Sequence, residues 1–251
     1  MLIDRIAIFP DTHVPYHDPK ALKLAIHVCK EIGISELVIG GDFADFYGVS
    51  SHPKDPSLSG VLRDEVAQVI EELSYINRTL RNIKKTYIEG NHENRLSRFI
   101  QNKCPEIFGL FDTKGLLELN SMGYDFVPYE PKQGYHIVGT NLLVRHTPLA
   151  GGNNYVEASL RRALTSIALN HTHQLKSTEI VGLDGKRYVG ISCGFLGDTS
   201  HKVMQYVQNH HQWQLGFVLI NVYSNWWDFD LVRIHPDYSC RVGTQIFRLP
   251  E

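Results

Sequence analysis

The sequence predicts an α/β layered fold, two sheets with helices packed outside them, in a single domain spanning residues 1–251. Three observations lead there. Short apolar runs of strand length end in turns bearing Asp, Asn or His. Amphipathic helical stretches alternate with those runs through the first half. From Tyr124 onward the pattern changes to strands with hairpin signals, and no linker, repeat or low-complexity tract divides the chain.

Ile6-Ala7-Ile8-Phe9 reads as the first strand, an unbroken apolar run suited to a sheet buried on both faces. It ends in Pro10-Asp11-Thr12-His13. Residues 19–32 carry Leu22, Ala25, Ile26 and Cys29 at helical spacing and stop at Gly33. Residues 36–39 form a second buried strand ending in Gly40-Gly41-Asp42. The Ser, Pro and Asp content of 47–59 predicts a long exposed loop, and 60–81 repeats apolar residues with a helical period. Thr86-Tyr87-Ile88 closes a third strand and leads into Gly90-Asn91-His92-Glu93, where Gly90 is expected to let the backbone bend sharply. Asn94 is the expected N-cap of the helix that follows. Residues 95–120 read as mostly helical with a break at Cys104-Pro105. Strands follow at 126–128, 135–138 and 142–145, with a hairpin turn at Gly139-Thr140-Asn141. A helix is expected over 154–169, with Val156, Leu160, Ala163, Leu164 and Ile167 on one face. Asp184-Gly185 marks another hairpin, and 217–223, 226–234 and 245–249 read as strands.

Composition bounds the function. The hydrophobic fraction of 43% and charged fraction of 21% are those of a soluble globular protein. A formal charge of −2 argues against non-specific nucleic-acid binding by bulk electrostatics, though not against a local basic groove. Cys29, Cys104, Cys193 and Cys240 lie far apart with no C-x-x-C pair, which points to reduced thiols and a cytoplasmic location. No apolar run approaches the ~18 residues of a membrane helix, and no signal peptide is visible.

The polar residues at strand ends are Asp11 and His13, Asp42 and Asp45, Asn91 and His92, His146, and His171 with His173. Carboxyl ends of neighbouring strands converge, and α/β folds bind ligands there. Oxygen and imidazole donors without a thiolate suit Mn²⁺, Fe or Zn²⁺. Seven such donors, with one carboxylate shared, supply four bonds to each of two ions. A pair of ions ~3.5–4 Å apart suits in-line displacement at phosphorus by a bridging hydroxide.

Asp11-Thr12-His13, Gly41-Asp42-Phe43-Ala44-Asp45, Gly90-Asn91-His92-Glu93, His146 and His171-Thr172-His173, in that order, resemble the motifs of the calcineurin-like metallophosphoesterase superfamily. The resemblance covers residues 11–173. It implies a distorted β-sandwich of two mixed sheets flanked by helices, with the metals at one edge and 174–251 completing the second sheet. It also implies that Asp11, His13 and His173 hold one divalent ion, that Asn91, His146 and His171 hold the other, and that Asp42 bridges them. Mn²⁺ is the leading expectation, with Fe, Zn²⁺ and Ni²⁺ as alternatives. His92 is then not a ligand but acts beside the leaving group, and Asn91 also steadies developing charge. Two features depart from the family pattern: Asn170 stands where Gly usually precedes the final motif, and His146 lies in Arg145-His146-Thr147-Pro148.

Asp45 is expected to fix a histidine tautomer behind the ligands, and Arg95 to support the site or reach substrate. Residues Arg78, Arg81, Lys84, Lys85, Arg95 and Arg98 are expected to border an anionic groove. Because only Arg95 and Arg145 lie near the motifs, a phosphodiester substrate, nucleotide or nucleic acid, is favoured over a nucleotide phosphomonoester. A non-catalytic metal-binding scaffold is the rival from another class, and the filled ligand positions count against it.

Overall fold

The computed structural model describes residues 1–52, 61–129, 134–183, 185–204 and 212–249. Two mixed sheets form its centre. The first has six strands in the order β11-β10-β1-β2-β3-β4, where β1 is Leu2–Phe9, β2 Glu36–Ile39, β3 Lys84–Ile88, β4 Asp125–Val127, β10 Gly216–Tyr223 and β11 Trp227–Arg233. The second has five in the order β5-β6-β7-β9-β8, where β5 is Tyr135–His136, β6 Leu142–Arg145, β7 Ser166–Leu169, β8 Leu175–Val181 and β9 Arg187–Cys193. Strands β1, β2, β3 and β4 are mutually parallel, as are β6, β7 and β9, while β10 runs antiparallel to β1 and β11, β5 to β6 and β8 to β9.

Strand alternation explains the layering. Ile6 and Ile8 of β1, Val38 of β2 and Val218 and Ile220 of β10 face the second sheet and pack with Leu142, Val144, Ala168, Val189 and Ile191. The intervening Ala7, Phe9, Leu37, Ile39 and Tyr87 face the opposite way, onto α1 (Pro19–Ile32), α2 (Leu62–Thr79) and α3 (Arg95–Lys103). Helix α4 (Thr113–Leu116) continues that layer. On the far side, α5 (Tyr155–Ala163) covers Ile167 and Leu169. Helix α1 begins as its sequence dictates, with Asp18 accepting from the amides of Lys20 and Ala21 and Pro19 at the first helical position.

Several sequence expectations change. The helix expected over 154–169 ends at Ala163, because Leu164 takes a left-handed conformation (φ 55°), and Ser166–Leu169 is strand β7. Residues 174–251 do not simply complete the second sheet: β8 and β9 do, but β10 and β11 form one side of the first, and β12 (Ser239–Val242) pairs with β13 (Gln245–Arg248) in a separate hairpin. Of 95–120 only α3, a short 3-10 turn at Pro105–Ile107 and α4 are helical. The stretch 47–59 begins with a 3-10 turn, Tyr47–Val49, whose Val49 is buried; residues 53–60 lie outside the described residues, as does Asp184 of the second hairpin turn. All four cysteines are free, and Cys29, Cys193 and Cys240 are buried. Among the described residues no helix is long and apolar enough to cross a membrane.

Candidate metal centre

The turns that leave the carboxyl ends of β1, β2, β3, β6 and β7 meet at one edge of the sandwich. Asp11 and His13 follow β1, Asp42 and Asp45 follow β2, Asn91 and His92 follow β3, His146 follows β6, and His171 and His173 follow β7. His171 and His173 therefore stand after a strand like the others. Asp11, His13, Asp42, Asp45, His92, His146 and His173 are all buried, while His171 reaches solvent.

Backbone strain concentrates here. Four of the nine non-glycine residues with positive φ among the described residues are His13 (58°), Asp42 (52°), His171 (72°) and His173 (59°). Such conformations cost about 1–3 kcal/mol each and persist where surrounding structure over-determines them. The surroundings do so. The amides of Thr12 and His13 donate to the Asp42 carbonyl at 3.0 and 2.9 Å, and the His171 amide donates to both Asp11 carboxylate oxygens at 2.9 Å. Glu93, which sequence reading left without a role, is the pin between two turns. Its carboxylate accepts from the amides of Asp42, Ala44 and Gly90 and from the Tyr87 hydroxyl, at 2.7–3.0 Å.

The same network corrects the expected N-cap. The Asn94 amide already donates to the Gly90 carbonyl and the Asn94 side chain caps nothing, so helical bonding starts at Gly90 and Glu93 reaches back to its amide as in a capping box. Gly90 itself lacks a positive φ; it is required because a Cβ there would overlap the Asp42 carboxylate and backbone nitrogen. Gly40 likewise leaves room for the Asn170 side chain, whose Nδ2 donates to the Arg145 carbonyl. That contact shows how Asn170 is accommodated ahead of the final histidines.

The imidazoles are held so that bare nitrogens point inward. His146 Nδ1 donates to the Gly40 carbonyl (3.0 Å), which turns Nε2 as an acceptor toward Asn91 Oδ1 (2.9 Å) and Asp42 Oδ2 (3.2 Å). His13 Nδ1 donates to Asp45 Oδ2 (2.9 Å), and its Nε2 lies 3.3 Å from His173 Nε2, which in turn lies 3.4 Å from Asp11 Oδ1. Acceptors facing acceptors at these distances repel one another unless a cation lies between them. Among the described residues three sets of ligating atoms are compact enough for that: Asp11 with His13 and His173, Asp42 with His146 and His171, and His13 with Asp42 and His92.

Electrostatics lead the same way. Burial opposes ionisation of Asp11 and Asp42, yet neighbouring histidines overcome it and hold both carboxyls below the usual range. Burial likewise keeps His171 and His173 below the ordinary histidine pKa, the state in which imidazole offers a lone pair. His146 is the exception: against burial, Asp42 and Asp11 push its pKa up to about 9. A buried site that draws a proton so firmly carries negative charge that calls for a cation. Donor chemistry, convergence and charge all fit divalent metal.

His92 stands beside this cluster. Its amide donates to Asp42 Oδ1 (2.8 Å) and its Nδ1 to Asp45 Oδ2 (3.0 Å), leaving Nε2 3.8 Å from Asp42 Oδ2 and 3.0 Å from an Arg95 guanidinium nitrogen. Burial disfavours a charged ring, but Asp42 and Asp45 outweigh it and raise the His92 pKa. Arg95 also donates to the Asp45 carboxylate (3.0 Å) and carbonyl (2.8 Å), so Asp45 ties His13, His92 and Arg95 together. Trp213 and Phe195, which carried no motif, pack their rings on His173 at centroid distances of 4.2 and 4.4 Å. Arg78, Arg81, Lys84 and Lys85 do not border the site. They precede or open β3, and the motif follows its other end, ~3.3 Å per residue away.

A fold edge lined by an Asp-His-Asn donor set that fits divalent metal is the site of a metal-dependent hydrolase of phosphate esters. The family pattern of calcineurin-like phosphoesterases matches residues 4–208, and the chain belongs to that family. It is similar to the gene 54 protein of Mycobacterium phage L5, 28% identical over 234 residues that cover 87% of this chain and 89% of the phage protein. The gene 54 protein of Mycobacterium phage D29 is similar to the same degree, 28% over 237 residues and 88% and 90% of the two chains. Among solved structures, Yfce, a phosphoesterase from E. coli, aligns with a TM-score of 0.43 at 14% identity, over 95% of this chain and 97% of that one.

Proposed function

We propose that the chain is a dinuclear phosphodiesterase acting on nucleotide or nucleic-acid diesters in the cytoplasm. Asp11, His13 and His173 hold one divalent ion, Asn91, His146 and His171 the second, and Asp42 contributes to both; Mn²⁺ suits this oxygen-and-imidazole set. When bound, the ions supply water activated for attack at phosphorus and draw charge from the phosphoryl oxygens. Asn91 turns its carboxamide oxygen toward His146, which leaves its NH₂ to donate to a phosphoryl oxygen. His92, oriented by Asp45, gives a proton to the departing oxygen from Nε2, a form in which Nε2 no longer accepts from Arg95 and Arg95 stays tied to Asp45.

The observation that carries the diester reading is the use already made of Arg95. A monoester brings a dianionic terminal phosphate that benefits from a further cation, yet Arg95, the cation beside His92, is engaged by Asp45 and His92. Space also extends to both sides. One cavity of about 390 Å³ is lined by Asp42, His92, His173 and Trp213. Another of similar volume opens beyond Arg95. The test is a panel with Mn²⁺ of aryl monoester, aryl diester, cyclic nucleotides, DNA and RNA. The aryl diester is expected to show the higher kcat/KM; a tenfold preference for the monoester would replace this reading with a nucleotide phosphomonoesterase.

A further inference from the structure

The cavity beyond Arg95 runs along one face of α3. Arg95, Arg98, Phe99 and Asn102 recur at helical spacing toward it, Lys103 adds a third cation, and Ser51 lines the facing wall. No carboxylate lines it among the described residues. Arg95 forms its inner end, with one guanidinium nitrogen 3.0 Å from His92 Nε2. From there the cations extend outward for ~12 Å at 1.5 Å per residue. Neither Arg98 nor Lys103 makes an ion pair among the described residues, although the chain as a whole carries a formal charge of −2. Between them Phe99 stays 39% exposed.

We propose that this groove binds the strand of single-stranded nucleic acid lying on the His92 side of the scissile phosphate. Arg98 and Lys103 take flanking phosphates, and Phe99 offers a ring on which an unpaired base stacks. Cations spaced over ~12 Å exceed what one phosphate can engage, which favours a chain over a mononucleotide. An aromatic ring interleaved with cations suits a single strand, because base stacking on protein needs a face that a duplex does not offer. The proposal rests on the phosphodiesterase reading above and names its substrate class.

The test uses the Mn²⁺-loaded protein and a fluorescent phosphorothioate oligothymidylate, which resists hydrolysis, with anisotropy as the readout. Arg98→Ala combined with Lys103→Ala is expected to weaken binding at least tenfold. It should also flatten the slope of log K against log salt by roughly 1.4, the share of two phosphate contacts on a single strand. Phe99→Ala is expected to weaken binding at least fivefold with the slope unchanged. Turnover of the aryl diester, too short to reach the groove, should fall less than threefold in either variant. Unchanged oligonucleotide affinity in both variants, or tighter binding of a blunt duplex than of the single strand, would overturn the proposal. Failure to hydrolyse the aryl diester would instead overturn the diesterase reading, and the anisotropy would still decide the groove.

Discussion

Asp45 and His92 share a hydrogen bond but not a role, and substitutions separate them. Asp42, Asp45 and Arg95, which His92 contacts, are each held by other partners as well, so on the proposed two-ion reading His92→Ala is expected to keep both metals. Its activity should fall ~10²–10⁴-fold on substrates with poor leaving groups and much less on an activated aryl ester. Asp45 holds the tautomer of His13 as well as His92. Asp45→Asn must place an NH₂ either against the two Nδ1–H groups or against Arg95. Metal affinity is therefore expected to drop about 10–100-fold along with turnover. Metal analysis and kinetics on both variants check this; full metal retention in Asp45→Asn would remove its orienting role. Sequence spacing exposed Asp45 because it recurs three residues after Asp42 at a strand end. Trp213 and Phe195 gave no such sign. An aromatic residue that packs on a histidine 40 or 22 positions away looks locally like any other core residue. Glu93 was visible as part of the motif, but its four donors come from three separate turns and strands and no local pattern announces them.

At the scale of the element, the β3–α3 junction is decided by space. Gly90→Ala adds one methyl at a position with ordinary φ, so the penalty is steric and not conformational. The methyl meets the Asp42 carboxylate, fixed by the His92 amide, and the Asp42 backbone nitrogen, whose residue is left-handed and held by Glu93. Overpacking of this kind costs about 1–3 kcal/mol. Gly90→Ala is thus expected to lower stability by that amount in denaturant titration and to weaken metal binding; a variant with native stability and two metals would show that the turn can yield. The parallel strands β1, β2 and β3 were legible because each is a short apolar run closed by polar turn residues. Strand β7 was not. Val156, Leu160, Ala163, Leu164 and Ile167 keep a helical period straight across the junction, and the break at Leu164 is a left-handed residue without the glycine that usually marks one. The position of β10 beside β1 was equally hidden, since it pairs Ile8 with Val218, a contact set by the whole fold.

At the scale of the molecule the candidate ligands join two sheets. Asp11, His13, Asp42 and Asn91 follow strands of the six-stranded sheet; His146, His171 and His173 follow strands of the five-stranded one. The apolar layer between the sheets holds them together without metal, so the metal-free chain is expected to stay folded. Its site edge, however, sets carboxylates and bare imidazole nitrogens against one another and stores the strain of four left-handed residues. A cation that binds this arrangement and not the unfolded chain stabilises it by mass action, about 2.7 kcal/mol when its concentration is 100 times Kd. At roughly 2–4 °C per kcal/mol for a chain of this size, the Tm should rise by about 5–11 °C. Mn²⁺ added to chelator-treated protein is expected to give that rise in a thermal scan. Asp42→Asn should remove at least half of it, because the amide cannot offer two anionic oxygens to two ions. A Tm that stays within a degree on adding Mn²⁺, with metal binding verified independently, would mean that the unfolded chain binds the ion as well as the folded one does, and that the folded arrangement of these donors is not what holds it.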